Sequence, residues 1–255
     1  MNRIETAFKN NKLFIPFITA GYPNLKKTED FIYQMVSAGA GLIEIGIPFS
    51  DPVAEGPVIQ ESSQKALGAG TTLEGIFNLV ENVRKKVSIP LVFMTYINPV
   101  FKYGYDNFFK KCASVGIDGI IIPDLPFDEK GEIAPFAKKY DIKIISLIAP
   151  TSEERIASIA KDGEGFLYIV SSMGVTGVRT EIKTDLQSIL SSVKKVTSVP
   201  ACVGFGIHSP EQAKKISQIS DGVIVGSAII KIIRQYGETA DKHIYDYVKT
   251  MKSSI

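Results

Sequence analysis

The sequence is poor in residues that bind metals or form disulfides, because its 255 residues include only two cysteines and two histidines. Cys112 and Cys202 lie far apart and match neither a metal-ligand spacing nor a disulfide framework. His208 and His243 match neither an HxH nor an HExxH pattern. We therefore expect no metal site and no disulfide. Two buried free thiols fit a reducing compartment, which predicts a cytoplasmic protein.

The sequence also lacks long apolar runs and any marked excess of charge. No apolar stretch is long enough to span a bilayer, and the N-terminus has no apolar signal-peptide core. The 29 basic and 27 acidic residues give a net charge of +2, and the basic residues are scattered over predicted helical faces. This balance predicts neither a nucleic-acid partner nor a membrane partner.

The chain does contain eight short apolar runs that alternate with helical patterns. The runs are almost continuously apolar, as in parallel strands buried on both faces, and they span residues 13–18, 42–45, 91–95, 119–122, 144–148, 166–170, 201–204 and 222–225. Helical patterns cover residues 28–38, 73–87, 105–115, 129–139, 153–161, 185–196, 209–218 and 239–252.

Eight consecutive strand–helix units in a chain of this length predict an α/β fold, a (β/α)8 TIM barrel that forms a single domain over residues 1–255. An open doubly wound sheet is the alternative, but the first strand is not followed by a GxGxxG motif. We also expect an N-terminal helix at residues 3–10 and an extra helix at about 57–68, after strand 2. The Gly-rich polar segment 171–183, after strand 6, is interpreted as a mobile lid.

Residues 41–60 carry two acids in unusual places. Glu44 lies inside an apolar run, where an unpaired carboxylate is unfavourable, and Glu55 follows eleven residues later on the loop that leaves the strand. One acid near a strand end and another on the next loop suit acid–base catalysis. The alternative is structural, with Glu44 in a salt bridge at the end of the barrel and Glu55 as a solvated loop acid. The residues alone leave both interpretations open.

Glycines end the last two predicted strands. Gly204 and Gly206 close strand 7, and Gly226 closes strand 8 and is followed by Ser227. A helical pattern begins soon after each, so backbone amides and helix dipoles favour an anion there. Because barrels commonly hold phosphate after strands 7 and 8, we expect a phosphate site. The alternative is tight packing at the rim of the barrel.

Other polar and aromatic residues near strand ends allow two interpretations. Within the predicted lid, Thr176 and Gly177 offer a hydroxyl and an amide to the phosphate on closure, unless the segment is only a flexible loop. Tyr168 either reaches the pocket or packs in the core. Tyr96 and Asp124 either contact a ligand or form hydrogen bonds at the rim.

Seven distinctive motifs, each present once, are spread over nearly the whole chain: FIPFITAGYP, IEIGIPFSDPVAEGPVIQ, MTYINPVFKYG, IIPDLP, SSMGVTGVR, VGFGIHSPEQA and GVIVGSAIIKII. They resemble the tryptophan synthase alpha subunit family. The loop SDPxA-acid-GP, the GVTG motif and the GFGI motif are specific in combination, although each alone would be weak. One position departs from the family, which usually has Asp where this chain has Glu55, so that carboxylate reaches one methylene further.

The resemblance implies a lyase that splits indole-3-glycerol phosphate into indole and glyceraldehyde 3-phosphate, in the last steps of tryptophan biosynthesis and without a cofactor. It implies that Glu44 is the general acid and base, and that Glu55 accepts a hydrogen bond from the indole N–H. The implied apolar slot for the ring consists of Phe17, Ile59, Tyr96 and Phe205, with Tyr168 above it. The implied phosphate ligands are Gly177, Gly206, Gly226 and Ser227.

The resemblance also implies a partner, the pyridoxal-phosphate beta subunit that consumes the indole in an α2β2 heterotetramer. Residues 48–55 and 98–104 would face this partner, and the pyridoxal phosphate would belong to the partner alone. One alternative is a phosphosugar isomerase of the histidine or tryptophan pathways, which the strand-2 Glu and the GVTG motif disfavour. Another is a regulatory subunit that only activates the beta partner, with Glu55 as a sign of decay. Both carboxylates and both phosphate loops are intact, which argues against a purely regulatory role.

Overall fold

The computed structural model describes residues 2–9, 11–170, 185–204 and 206–255. Within these ranges the strands are β1 (Leu13–Thr19), β2 (Ile43–Gly46), β3 (Leu91–Met94), β4 (Gly119–Ile121), β5 (Lys143–Ile144), β6 (Leu147–Ile148), β7 (Leu167–Val170), β8 (Ala201–Gly204) and β9 (Gly222–Val225). All pairings are parallel, in the order β5-β4-β3-β2-β1-β9-β8-β7-β6. Seven of the eight predicted runs therefore form one strand each.

The fifth predicted run, residues 144–148, is split into β5 and β6. The residues between these two short strands bond to both neighbours: Ile145 N donates to Ile120 O at 2.8 Å, and Tyr168 N donates to Ser146 O at 3.0 Å. The two ends of the sheet are thus consecutive parts of one segment. This closes the sheet into an eight-stranded barrel, which confirms the predicted (β/α)8 fold.

The helices surround this barrel. They are α1 (Arg3–Ala7), α2 (Leu25–Ser37), α3 (Pro57–Gly68), α4 (Leu73–Arg84), α5 (Ile97–Tyr103), α6 (Tyr105–Val115), α7 (Ala134–Lys139), α8 (Glu153–Lys161), α9 (Leu186–Lys194), α10 (Pro210–Ser217), α11 (Ser227–Tyr236) and α12 (Asp241–Lys252), with 3₁₀ helices at Phe127–Glu132 and Gly237–Thr239. The extra helix predicted at 57–68 is confirmed as α3. None of the helices in the described ranges combines the length and the hydropathy that spanning a bilayer requires.

The differences from the predicted helices have local causes. The helix expected at 129–139 is a 3₁₀ turn followed by α7, because Pro135 lacks an N–H and is accommodated only in the first turn of a new helix. The helix α2 begins three residues early because the Asn24 side chain caps it, accepting from Lys27 N at 2.8 Å. The helix α1 ends at Ala7 rather than at residue 10, and α5 was not predicted.

The strand alternation fixes which side chains face the interior of the barrel. The ring of Phe93 in β3 packs at 5.9 Å on the ring of Phe77 in α4, so Phe93 faces the helix layer. Its neighbour Val92 faces the opposite way, into the barrel. In the register of the sheet, Val92 pairs with Glu44, and Glu44 pairs with Phe17. Glu44 and Phe17 therefore also point into the barrel.

Candidate active site

The two acids lie buried at the C-terminal end of the barrel. Glu44, within β2, is 1% exposed, and Glu55, on the loop that leads into α3, is 5% exposed. The Oε2 atoms of both side chains are buried and have no hydrogen-bond partner among the described residues. No ion pair in the described ranges includes either acid. Among the described residues, Glu44 therefore forms no salt bridge, and Glu55 is buried rather than solvated. The structural alternative is wrong on both points within these ranges.

Burial without a counter-charge changes the proton affinity of both groups. Burial, reinforced by the negative charge of Glu55, raises the pKa of Glu44 to about 8. Burial also raises the pKa of Glu55 to about 7. Near neutral pH, one carboxyl thus holds its proton while the other is partly ionised. A pair of titratable groups in this state can donate a proton and accept a hydrogen bond at one site.

Glycines make room for aromatic rings beside the acids. A Cβ atom at Gly46 would lie 2.5 Å from Cζ of Phe17, and one at Gly226 would lie 3.2 Å from Cδ1 of the same ring. The Phe17 ring therefore lies over the end of β2 and beside the residue that follows β9: a side chain at Gly46 would collide with the ring, and one at Gly226 would be crowded by it. In the same way, the ring of Tyr168 covers Gly204. The two aromatic rings thus occupy space that a Cβ atom would take at these glycines.

The predicted slot residues within the described ranges are all buried: Phe17, Ile59, Tyr96 and Tyr168. The negative charge of Glu44 contributes to the raised pKa of Tyr168, after burial, so this tyrosine lies beside the catalytic candidate. The structure thus relates Glu44, Glu55, Phe17, Tyr96 and Tyr168 to one another, and Ile59 lies buried in the first turn of α3, four residues after Glu55. Thr176, Gly177, Phe205 and the predicted lid, residues 171–183, lie outside the described residues.

The two glycine loops differ in how their helices begin. The helix α10 has a capping box, in which Ser209 accepts from Gln212 N and the Gln212 side chain accepts from Ser209 N. In contrast, α11 starts after Gly226 with no side-chain cap among the described residues. Ser227, its first residue, is 9% exposed. The start of α11 therefore leaves its first amides, at Ser227 and Ala228, without a side-chain cap in the described ranges and suited to an anion, whereas the capping box occupies the amides of Ser209 and Gln212 at the start of α10.

Gly206 supplies the second part of the phosphate candidate. Its φ of 82° lies in the left-handed region that favours glycine, and its carbonyl lies 3.1 Å from Nδ1 of His208. This conformation turns the chain sharply between β8 and α10. The loop after β8 thus contributes a glycine backbone, and the loop after β9 contributes an open helix N-terminus.

Two positions that the sequence left open form hydrogen bonds at the rim. Asp124 Oδ1 accepts from Ile97 N at 3.0 Å, and the hydroxyl of Tyr96 accepts from Ala54 N at 3.2 Å. Sequence reasoning missed Gln60, whose Nε2 donates to the carbonyl of Glu55 at 2.7 Å. The available signal was a Gln in the first turn of a helix just after the acid, a position from which side chains reach back to the preceding loop.

Within the described ranges, His, Cys, Asp and Glu side chains form no cluster of three or more that could hold a metal ion. The polar groups at the candidate site are instead two carboxylates, two phenols and backbone amides. Such a set is suited to proton transfer and to binding the anionic group of a small organic phosphate.

Comparison with known proteins agrees with this geometry. A family model described as "Tryptophan synthase alpha chain" matches residues 4–255. Relatives of that name include one from Lacticaseibacillus casei, 46% identical over all of this chain and 96% of its own length. Another, from Thermoanaerobacter pseudethanolicus, is 48% identical over 91% of each chain.

Solved structures agree as well. The tryptophan synthase alpha chain from Legionella pneumophila is 34% identical, with a TM-score of 0.89 over 100% of this chain and 97% of that chain. A chain of the tryptophan synthase complex from Pyrococcus furiosus is 34% identical, with a TM-score of 0.87 over 95% of this chain and 98% of that chain. Sequence, fold and site geometry lead to the same conclusion: the chain belongs to the tryptophan synthase alpha chain family.

Proposed function

We propose that Glu44 and Glu55 carry out the lyase reaction of this family, the retro-aldol cleavage of indole-3-glycerol phosphate to indole and glyceraldehyde 3-phosphate. The observation that carries the proposal is the pair of buried carboxylates, each with a free oxygen and no ion-pair partner among the described residues. Leaving charges uncompensated lowers stability, so such groups are characteristic of functional sites.

In the proposed mechanism, Glu44 acts twice. Because its pKa is raised to about 8, it is protonated near neutral pH and donates this proton to C3 of the indole ring. The resulting carboxylate then takes the proton from the glyceryl hydroxyl next to the C–C bond. The electron pair of that O–H bond forms the aldehyde, and the electrons of the broken C–C bond restore the aromatic indole. Glu44 ends the cycle protonated, as it began.

Glu55 acts on the other side of the ring by accepting a hydrogen bond from the indole N–H. Positive charge develops on the ring only after C3 is protonated, so an ionised Glu55 stabilises the transition state more than the bound substrate. This role needs the ionised form, and the pKa of Glu55 is raised to about 7. We therefore expect kcat/KM to rise as the pH passes about 7 and to fall as it passes about 8.

The substrate phosphate is proposed to bind Gly206, Gly226 and Ser227. The uncapped N-terminus of α11 and the left-handed turn at Gly206 support this position. The proposed slot for the indole ring consists of Phe17, Ile59, Tyr96 and Tyr168. Thr176 and Gly177 are proposed as further phosphate donors, and Phe205 as a further wall, on the family resemblance alone.

The family name implies a beta-subunit partner, and we propose an α2β2 assembly. Two of the large apolar side chains exposed in the described ranges support its location: Val53 is 69% exposed and Phe101 is 66% exposed. They lie on the two segments expected to face the partner, residues 48–55 and 98–104. The proposed reaction needs no cofactor in this chain, and pyridoxal phosphate is expected only in the partner.

The decisive experiment is an assay of indole release from indole-3-glycerol phosphate. Three samples are compared: this chain alone, this chain together with the beta subunit, and the beta subunit alone. Release that depends on this chain and rises with the beta subunit supports the proposal. If this chain releases no indole but still activates the beta subunit, it has a regulatory role instead. If it neither releases indole nor activates the beta subunit, and isomerises a phosphosugar, it is the isomerase.

A further inference from the structure

The backbone that carries Glu55 is held from two sides. On one side, the N–H of the preceding residue, Ala54, donates to the hydroxyl of Tyr96 at 3.2 Å. On the other side, the amide of Gln60 donates to the carbonyl of Glu55 at 2.7 Å. Tyr96 follows β3, whereas Gln60 belongs to α3. Two separate elements therefore fix consecutive residues of the loop, and Glu55 lies between the two attachment points.

Tyr96 is itself a rigid support. Its side chain is 1% exposed, and its ring stacks on that of Phe49 with the centroids 5.0 Å apart. The next residue, Ile97, donates its N–H to Asp124 at 3.0 Å, which ties the start of α5 to the end of β4. A buried tyrosine with two side-chain torsions, packed on both its ring and its backbone, presents its hydroxyl at a fixed point.

The same hydroxyl has a second bond to offer. A phenol that accepts one hydrogen bond still has its own proton to donate. Glu55 has a buried oxygen without a partner among the described residues. The Tyr96 hydroxyl lies 3.2 Å from the N–H of Ala54, the residue directly before Glu55, and the charge of Glu55 contributes, after burial, to a raised pKa of Tyr96. A phenol that donates to an ionised carboxylate forms a charge-assisted hydrogen bond, roughly twice as strong as a neutral one.

We propose that Tyr96 is a positioning residue for Glu55, assisted by Gln60. Its hydroxyl holds the Ala54 peptide, and its proton orients the Glu55 carboxylate toward the ring nitrogen of the substrate when Glu55 ionises. This role exceeds lining the apolar slot, because it depends on the hydroxyl rather than on the ring. The inference rests on the proposed function of Glu55.

The test compares hydroxyl removal at Tyr96 with a matched control. Tyr96→Phe keeps the ring and deletes the hydroxyl. Tyr33→Phe makes the same change on α2, away from the site and from the proposed partner surface, where the hydroxyl donates to the side chain of Glu29 at 2.8 Å. With beta subunit present, we expect Tyr96→Phe to lower kcat by about 10- to 100-fold with KM changed less than about threefold, because a displacement of about 1 Å carries an effect of that size. Tyr33→Phe should match wild type.

The second arm uses Gln60, in case Tyr96→Phe unfolds. Gln60→Ala removes the other attachment and should also lower kcat more than it raises KM, whereas Gln64→Ala on the exposed face of the same helix should have no effect. Thermal unfolding of each variant separates loss of fold from loss of position.

Two readouts distinguish positioning from a purely structural role. Without the Tyr96 proton, the ionised form of Glu55 is less favoured, so the acidic limb of the pH–rate profile should move to higher pH in Tyr96→Phe and not in Tyr33→Phe. Adding Tyr96→Phe to Glu55→Ala should lower the residual activity no further.

The role of Tyr96 would be overturned by a pH–rate profile that does not shift in Tyr96→Phe, or by a rise in KM alone. It would also be overturned if Tyr96→Phe lowered the activity of wild type and of Glu55→Ala by the same factor. Wild-type protein that releases no indole with beta subunit would instead reject the proposed function itself.

Discussion

The two ends of the barrel treat buried carboxylates in opposite ways. At the N-terminal end, Asp118 is 3% exposed, and at the C-terminal end Glu44 is 1% exposed. Asp118 pairs with Arg84 and with Arg3, whose Nη1 lies 2.9 Å away, and it accepts from Leu91 N at 2.9 Å. Glu44 has no ion-pair partner in the described ranges, and its Oε2 atom is unbonded there. Although the two acids are almost equally buried, the charge of Asp118 is neutralised by arginines, whereas Glu44 retains its proton near neutral pH.

The arginine at the N-terminal end is compensated as fully as the acid. Arg84 donates to the carbonyls of Gly116 at 2.7 Å and Ile89 at 2.6 Å, in addition to its contact with Asp118. Through Arg3, the same cluster attaches α1 to the barrel. A buried ion pair with all of its hydrogen bonds satisfied tolerates burial, and breaking it is strongly destabilising. We infer that the N-terminal end stabilises the fold, whereas the C-terminal end carries the proposed catalytic acids.

The largest expected difference between the two ends is catalytic. Glu44→Gln keeps the size of the side chain and removes proton transfer, which contributes about 10²–10⁴-fold per role, and here one group serves two steps. We expect loss of indole release with the fold retained, measured with beta subunit present and checked by circular dichroism. Retention of more than about a tenth of the wild-type turnover would show that Glu44 is not the acid and base.

The converse change at the N-terminal end should affect stability. Asp118→Asn leaves Arg84 and Arg3 without their counter-charge, and we expect urea unfolding to show a loss of about 3–5 kcal/mol. Turnover below the melting temperature should stay close to wild type. The control is Asp128→Asn, which breaks the exposed pair with Arg155 and should change stability by about 0–1 kcal/mol. Equal effects of the two variants would contradict the structural role of the cluster.

The comparison also predicts a pH dependence of stability. The folded protein binds the Glu44 proton more tightly than the unfolded chain, because the pKa is raised from 4.5 to about 8. The stabilisation from this proton is full below pH 4.5 and is lost as the pH rises through about 8. A tenfold change in proton affinity corresponds to about 1.4 kcal/mol, so Glu44→Gln should be more stable than wild type by about 2–4 kcal/mol at pH 9. Urea titrations at pH 5 and pH 9 test this, and an advantage that does not grow with pH would disprove it.

The smallest expected effect concerns the additional methylene of Glu55. The longer side chain has one more rotatable bond to fix, which lowers the fraction in the productive rotamer. We expect Glu55→Asp to keep or improve activity, within about tenfold of wild type, and Glu55→Ala to nearly abolish it. Steady-state kinetics of the three proteins with beta subunit decide between these outcomes. An alanine variant as active as wild type would remove Glu55 from the mechanism.

The sequence by itself predicted the strands and most of the helices, because burial on both faces and helical periodicity are local patterns. It also predicted α3, whose start at Gly56–Pro57 is a local signal. The two acids stood out for the same reason, since a carboxylate inside an apolar run is visible without any structure. The family motifs gave these residues proposed roles.

The tertiary structure decided what depends on residues far apart in the chain. Whether a buried acid is compensated depends on distant partners, such as Arg3 for Asp118, 115 positions away. The attachment of the Glu55 loop to Tyr96 spans 42 positions. The division of strand 5 follows from closing the barrel on both neighbours. Periodicity specifies which residues are buried, but only the folded chain brings charges and hydrogen-bonding groups within the few ångströms at which they act.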